Sequence, residues 1–404
     1  MRLAPPGPRD PLKLAAAPLM PPGGRSREAI GLAAAAARGR FMLQVCGECE
    51  LVQYPPRAVC GGCLGVGLRW REVPAGGALL ARTIIRIAAD PYFRTRTPWA
   101  IGTVQLDCGP QVVAHLHGDV AGRVRMTLKL DKAGQGVMLA LPEQDTPDMH
   151  DDPAWRELTA DPRGRRVLVT DGRTALGQAM ARGMLAAGAR AVFVGIAAPW
   201  LPFDGAGLRM AGIETVALDL TDQDSVHRMA VSLGGRVEIC VNTALHLRPA
   251  GVLAQDLAEA RTAMEVNYLG ALRLAQALGP AMRARAADGD YPAVAWVNLI
   301  SAHALAAPGA FGGAAAAQAA ALALGQSLRP ALRPLRVVNA LIGPIDDEWH
   351  QALPPPKLAP AAIAAAVVRA LRDGVEDLAI GDVAQDILAR WADNPAILVR
   401  DMPG

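Results

Sequence analysis

Two patterns of apolar and polar positions divide this chain. From about residue 68 to 141, short alternating runs are broken by Gly, Pro and Asp: ALLARTIIRIA from Ala78, AIGTVQL from Ala100, QVVAHLH from Gln111, RVRMTLKL from Arg123 and GVMLAL from Gly136. A period of two with such punctuation predicts strands. Roughly five strands in fewer than ~100 residues predict a small β-barrel. Beyond residue 164 the pattern becomes strand–helix alternation. RRVLVT, ARAVFVGI, VEICVNT, AVAWVNLI and LRVVNALIG read as strands. ALGQAMARGMLAAG, a long helix around Met264–Arg285 and an alanine-rich helix lie between them. Such alternation predicts an α/β Rossmann-type doubly wound parallel sheet covered on both faces.

The remaining stretches set the boundaries. Residues 1–24 are rich in proline and glycine and read as a disordered leader. Residues 25–67 hold a helix over Arg27–Arg40, with Ser26 placed as its N-cap, and a cysteine cluster. An OB-fold is the commonest barrel of the size expected at 68–142. Residues 143–163, acidic and proline-rich, read as a linker with one helical turn around Trp155, and 164–404 form the Rossmann domain.

Composition narrows the function classes. The chain carries 41 basic and 38 acidic residues, a net charge of +3, which argues against coating nucleic acid. Residues 1–150 hold 18 Lys and Arg against 12 Asp and Glu. That bias suits a phosphorylated ligand such as coenzyme A, or reflects scattered surface arginines. The most apolar run, Gly312 to Leu328, is mostly alanine and is interrupted by Gln318, Gly325, Gln326 and Ser327. A spanning helix needs about 20 strongly apolar residues, so no membrane segment is expected. Six cysteines in 404 residues do not make a disulfide scaffold. Four of them cluster, which points to a metal and a reducing cytoplasm.

Cys46-x2-Cys49 and Cys60-x2-Cys63 are separated by ten residues. Each knuckle places two thiolates on one cation, and two knuckles complete a tetrahedral zinc site. Four thiolates leave no open position for water, so the zinc is expected to be structural. Gly47, Gly61 and Gly62 are expected to give the turns backbone freedom. Cys108 and Cys240 stand alone and read as buried packing residues.

The order helix, C-x-x-C, YPPR at Tyr54–Arg57, C-x-x-C, Trp70, Gly76-Gly77 and a strand with Thr83 resembles a zinc-ribbon/OB-fold family that accompanies thiolase-like enzymes. PYF at Pro91–Phe93 and VQLDCG at Val104–Gly109 fit the same pattern, which covers residues 25–142. The resemblance implies a rubredoxin-like zinc ribbon and an accessory role for a thiolase- or aldolase-type enzyme of acyl-CoA metabolism, with a thiolase-fold partner. It implies no catalytic residue.

Residues 164–404 resemble the short-chain dehydrogenase/reductase family. VTDGRTALG at Val169–Gly177 stands where that family has T-G-x-x-x-G-x-G, DLTD at Asp219–Asp222 where an aspartate contacts adenine, and VNTAL at Val241–Leu245 where N-N-A-G lies. The resemblance places Gly172, Gly177, Asp219 and Asn242 at the NAD(P) site, Asn267 of EVNYLG in the catalytic tetrad and Ser301 at the catalytic serine. It also implies oligomers built through helices spanning about 250–285 and 312–330.

The departures weigh more. The family's proton-donating Tyr and its tuning Lys fall on Ala314 and Gln318. No Tyr follows Tyr291, and no Lys lies between Lys132 and Lys357. Two of the three loop glycines are Asp171 and Ala175, and Gly195-Ile196 offers no group to grip a ribose. A carboxylate ~4 Å from a phosphate costs about 1 kcal/mol in water-like surroundings and about 4 when partly shielded, an effect Arg173 offsets in part. His246 and His303 are substitute bases in principle, although a lone histidine is usually a loop or core residue. The reading is a pseudoenzyme: a scaffold for acyl-CoA metabolism, in a homo-oligomer or a hetero-oligomer with an active dehydrogenase. The alternative is an NAD(P)-dependent oxidoreductase acting on 3-oxoacyl- or hydroxyacyl-CoA with unconventional residues.

Overall fold

Alanine and glycine set how closely the first elements approach one another. In the computed structural model, which describes residues 19–402 except 25, 250, 254–256, 287–291 and 352, helix α1 (Ile30–Ala37) buries Leu32, Ala35, Ala36 and Ala37. A 3₁₀ turn at Arg27–Ala29 precedes it, and Ser26 occupies the N-cap without a side-chain cap bond, so the helix is shorter than its sequence suggests. α1 lies against barrel strands so tightly that a Cβ on Gly136 would sit 2.6 Å from the Leu32 backbone.

A three-stranded antiparallel sheet, in order β2-β1-β3, carries the ribbon: β1 Met42–Cys46, β2 Val52–Gln53 and β3 Leu68–Glu72. The expected boundary at 67/68 therefore falls ahead of the ribbon's own third strand, whose Leu68 pairs with Cys46. The barrel follows as β4 (Gly76–Ile85), β5 (Trp99–Leu106), β6 (Gln111–Leu116), β7 (Arg123–Leu130) and β8 (Gly136–Pro142). They close in the order β4-β5-β6-β8-β7, with β6 and β8 parallel and the other pairs antiparallel. Alternating residues Val104, Leu106, Val112, Ala114, Val124, Met126 and Leu128 fill its interior with α1 as the plug. Cys108 is half-buried at the margin of this core rather than inside it.

The stretch expected to be a linker is folded. Short helices α2 (Pro91–Arg94) and α3 (Pro153–Leu158) cover the outer barrel face. Met149, Ala154, Trp155 and Leu158 pack there on Trp99, Val137, Leu139 and Leu141. Asp152 explains the order: one carboxylate oxygen caps α3 at Trp155 N (2.9 Å) and the other accepts from Gly118 N (2.8 Å). Its acidic, proline-rich composition reflects Asp–Pro helix starts. Of the expected leader, residues 1–18 lie outside the described residues, whereas Pro21 is buried and Pro22 O accepts from Gln135 Nε2 at 3.1 Å. Trp155 is 5% exposed. Trp155→Ala is expected to cost about 3–5 kcal/mol, measured as a fall in the urea midpoint of this unit.

Compact packing separates one unit of Leu19–Asp161 with Leu371–Glu376 from another containing Pro162–Ala370 and Asp377–Gly404. In the second, β9 (Arg166–Val169), β10 (Ala191–Ile196), β11 (Ile213–Ala217), β12 (Ile239–Asn242), β13 (Ala295–Ser301), β14 (Arg336–Ile342) and β15 (Asp377–Ile380) form one parallel sheet, β11-β10-β9-β12-β13-β14-β15. The central strands β9, β12, β13 and β14 are buried at every position, as a two-sided cover requires. Helices α4 (Ala175–Ala186), α5 (Gln223–Leu233), α6 (Ala258–Ala263), α7 (Ala271–Arg285), α8 (Gly312–Ala331), α9 (Pro360–Asp373) and α10 (Asp382–Asp393) supply it, with α11 (Pro395–Arg400) last. The long helix expected around Met264–Arg285 is interrupted by a π-helical segment, Met264–Gly270, ahead of α7. Cys240 is fully buried in the β12 core. No described helix is long and apolar enough to cross a membrane.

Candidate functional site

The cysteines converge because each knuckle repeats one backbone path. Glu50 N donates to Cys46 O and Leu64 N to Cys60 O, both at 3.1 Å, and both donors adopt left-handed φ, 61° and 64°. The positive φ thus falls on Glu50 and Leu64 and not on the glycines read as supplying it. Gly62 serves closeness instead: a Cβ there would lie 3.8 Å from the sulfurs of Cys49 and Cys60 and 3.2 Å from Leu51.

Cys46 Sγ lies 3.6 Å from Cys63 Sγ, and Cys49 Sγ 3.5 Å from Cys60 Sγ, with all four sulfurs within 4.8 Å. A tetrahedral centre with Zn–S near 2.3 Å separates its sulfurs by about 3.8 Å, so the set fits one zinc ion. Amide N–H groups of Glu48 and Gly62 point at Cys46 and Cys60 sulfurs at 3.4 Å, a stabilisation suited to thiolates. Cys46 and Cys60 are buried while Cys49 and Cys63 are exposed. The site is closed, hence structural: it holds the two knuckles together and has no place for substrate.

In the second unit the expected dinucleotide loop, 170–177, joins β9 to α4. Its glycines are needed for space, since a Cβ on Gly177 would fall 1.5 Å from Asp171 O and one on Gly172 2.3 Å from Val194 Cγ1. The amides that would face a pyrophosphate are already engaged. Asp171 Oδ1 accepts from Arg173 N at 2.9 Å, and Thr174 Oγ1 accepts from Gly177 N at 3.1 Å. Burial raises the Asp171 carboxyl above the ordinary range, against the lowering effects of the Arg173 amide and charge. Arg173, read as a counter-charge for the loop, donates to the carbonyls of Ala197, Ala198, Leu201 and Pro202 and lies 5.0 Å over the Phe203 ring. Asp219 Oδ1 accepts from Thr221 N and Oγ1 at 2.8 and 2.7 Å. These residues do not fit NAD(P): the loop's carboxylate stands in for the phosphate it would need to receive.

The catalytic frame is kept with Ala314 and Gln318 in place of its Tyr and Lys. Asn267 is buried in the π-helical segment and makes two 2.8 Å bonds to the His246 backbone, accepting from N and donating to O. Asn242 Oδ1 accepts from Thr170 Oγ1 at 2.9 Å, tying β12 to the end of β9. Ser301 ends β13, and its Oγ accepts from His303 N. Ala314 is buried on α8. Gln318, fully buried, accepts from Ser301 N at 2.8 Å through Oε1, a structural role the sequence reading of a lost lysine missed. A cavity of about 10 Å³ beside Gln318, Asn242, Asn267 and Asn298 has room for about one water.

The two histidines sit in different surroundings. His246 Nε2 is bonded to Glu259 Oε2 at 2.8 Å. His303 is buried beside Phe311, which stacks on His350, and its Nδ1 has no partner among the described residues. Burial first, and the His350 charge second, lower the His303 pKa from 6.5 to about 4. Above pH 6.5 its ring is neutral folded and unfolded alike. As pH falls from 6.5 toward 4 only the unfolded chain takes the proton, so about 3 kcal/mol of stability should be lost across that window. His303→Asn should flatten the profile, and superimposable unfolding curves for the two proteins at pH 7 and 4.5 would disprove the assignment.

The family described as "ChsH2, rubredoxin-like zinc ribbon domain" matches residues 33–68, "ChsH2, C-terminal OB-fold domain" matches 70–133, and "short chain dehydrogenase" matches 165–355. A short-chain dehydrogenase from Burkholderia cenocepacia, solved with NADP, is 30% identical over 59% of this chain and 97% of its own, at a TM-score of 0.51. One from Streptomyces avermitilis is 23% identical over 59% and 96%, at 0.49. No curated protein matches the chain.

Proposed function

We propose a function on the premise that the chain belongs to the short-chain dehydrogenase family, joined to a ChsH2-type zinc ribbon and OB-fold: it is a non-catalytic accessory protein of acyl-CoA metabolism, acting in the cytoplasm. The observation that carries the reading is the buried Ala314–Gln318 pair behind Ser301, with Gln318 committed to a backbone amide where the family needs an ammonium. The dehydrogenase-like part then serves assembly, as a homo-oligomer or beside an active dehydrogenase, through α6–α7 and α8. The ribbon and barrel dock a thiolase-fold enzyme.

The ribbon offers a surface for that docking. Leu64 and Val66, at the second knuckle, are 75% and 76% exposed, and Leu51 and Val59 lie exposed in the same small domain. Apolar side chains grouped this way mark contact surfaces. Truncation after Leu141 is a poor test, because it strips α3 from the barrel. The full-length protein should instead be captured from its native cells, where a thiolase-fold enzyme is expected in stoichiometric amount. Leu64→Asp with Val66→Asp should lower that yield at least tenfold with zinc content unchanged. A lone monomer with no such companion defeats the reading.

A second reading, an oxidoreductase with unconventional residues, draws on the kept Asn267 and Ser301 geometry. Hydride transfer to 3-oxoacyl-CoA by the purified protein, lost in Ser301→Ala, would favour it.

A further inference from the structure

α2, α3 and the outer face of the barrel leave between them a cleft of about 220 Å³. Tyr92 and Phe93 come from α2, Trp99 from β5, His115 from β6 and Val137 from β8, with Pro21 and Pro22 along the rim. The rings hold one another at fixed angles. Phe93 stands edge-on to Tyr92 and Trp99 at 5.0 and 5.8 Å, and it stacks on His115 at 6.2 Å. The polar edges of two rings are capped internally: Trp99 Nε1 donates to His115 Nδ1 at 2.9 Å, and Tyr92 Oη donates to Glu157 Oε1 at 2.6 Å.

Glu157 decides the chemistry. The nearest contact of each partner falls on Oε1: Tyr92 Oη donates to it, Lys132 Nζ lies at 2.7 Å, and Arg96 Nε pairs with it at 3.0 Å without a hydrogen bond. Among the described residues no hydrogen bond reaches Oε2, and Glu157 lines the cleft. Burial raises the Glu157 pKa, but Lys132, Arg96 and the Tyr92 phenol outweigh it and hold the carboxyl below its ordinary value. Oε2 is therefore an acceptor in a mainly apolar slot that Asp131 and His115 also line.

We propose that this cleft is a ligand site for a compact, uncharged apolar group carrying one hydrogen-bond donor, an alcohol or an amide N–H, packed on the four rings and donating to Glu157 Oε2. The volume suits such a group: an apolar cavity of about 150 Å³ accommodates benzene, and this one is larger by room for a substituent. Carboxylate-bearing ligands are disfavoured, because Glu157 Oε2 and the Asp131 side chain, whose Oδ1 accepts from Ala133 N and Gln135 N at 2.9 Å, present negative charge to the cleft. The site lies wholly within the first unit and does not depend on the docking or pseudoenzyme reading.

Isothermal titration of the full-length, zinc-loaded protein with cyclohexylmethanol and with cyclohexanecarboxylate tests it, because the two probes share the ring and differ in the polar group. Saturable one-to-one uptake of the alcohol, at least tenfold tighter than the carboxylate, is expected. Glu157→Gln should shrink that preference to threefold or less, and Val137→Phe, which fills the slot, should weaken the alcohol at least tenfold. Zinc content and circular dichroism report whether each variant folds, and the wild-type probe ratio needs no variant. No saturable uptake of the alcohol, equal affinity for both probes, or undiminished binding to a folded Val137→Phe protein would overturn the proposal.

Discussion

Replacing Cys60 with serine is expected to strip the zinc and unfold the ribbon. Binding of a structural zinc to such a site is worth about 10–16 kcal/mol near neutral pH. That rivals the total stability of a whole domain, about 5–15 kcal/mol. The ribbon has little else to rely on: its sheet is three short strands, one of them only two residues long, and both knuckles carry a non-glycine residue at positive φ. Each such backbone conformation costs on the order of 1 kcal/mol or more. Cys60 is buried beside Cys49 Sγ, so its loss leaves three sulfurs around a gap. Elemental analysis should fall from one zinc per chain to near zero, and amide exchange across Met42–Glu72 should accelerate to unprotected rates. Full zinc occupancy with native protection in the variant would show that the four sulfurs are not a folding centre.

The dehydrogenase-like unit should show no saturable NADP or NAD binding into the millimolar range, and no turnover. Removing the loop carboxylate is the informative change. Asp171→Gly frees the Arg173 amide and removes a charge worth about 1–4 kcal/mol against a phosphate, a gain of roughly 5-fold to 10³-fold in affinity. Adding Ala175→Gly opens the helix start further. Turnover should stay undetectable even then, because a positioned acid or base contributes about 10²–10⁴-fold and both members of the pair are missing. Fluorescence titration of wild type, Asp171→Gly and the double variant with NADPH checks the order. Tight binding by the wild type, or a loss of affinity in Asp171→Gly, contradicts the self-filled loop.

Both outcomes bear on assembly. Zinc binding without dinucleotide binding would support the proposed scaffold role, for which the exposed apolar Leu64 and Val66 are the assigned docking surface. An acyl-CoA complex would draw its chemistry from its partner while this protein sets geometry.

How much of this was written in the chain differs by element. Local features were legible. The two C-x-x-C pairs prescribe a four-sulfur site wherever the backbone turns. Period-two runs between Ala78 and Leu141 place the barrel strands within three residues of β4–β8. Apolar runs, interrupted inside only by Asn298 in β13 and Asn339 in β14, mark β9, β12, β13 and β14, because a parallel strand covered on both faces has no polar side. The substitutions Asp171, Ala175, Ala314 and Gln318 are visible once the chain is laid against the short-chain dehydrogenase motifs it resembles.

Tertiary structure decided whatever depends on partners distant in sequence. Residues 143–163 read as a linker because their composition is polar, yet Trp155 reaches Trp99 and Leu139 only once the barrel has closed, and a buried indole outweighs a polar neighbourhood. Gln318 reads as a lost lysine, and its bond to Ser301 N exists only because α8 lies against the end of β13. The cleft beside Glu157 is assembled from segments that start at Pro21 and end at Leu158, which no single stretch announces. Spacing encodes contacts within a few residues, whereas burial and unpartnered atoms are properties of packed surfaces, fixed only when the elements meet.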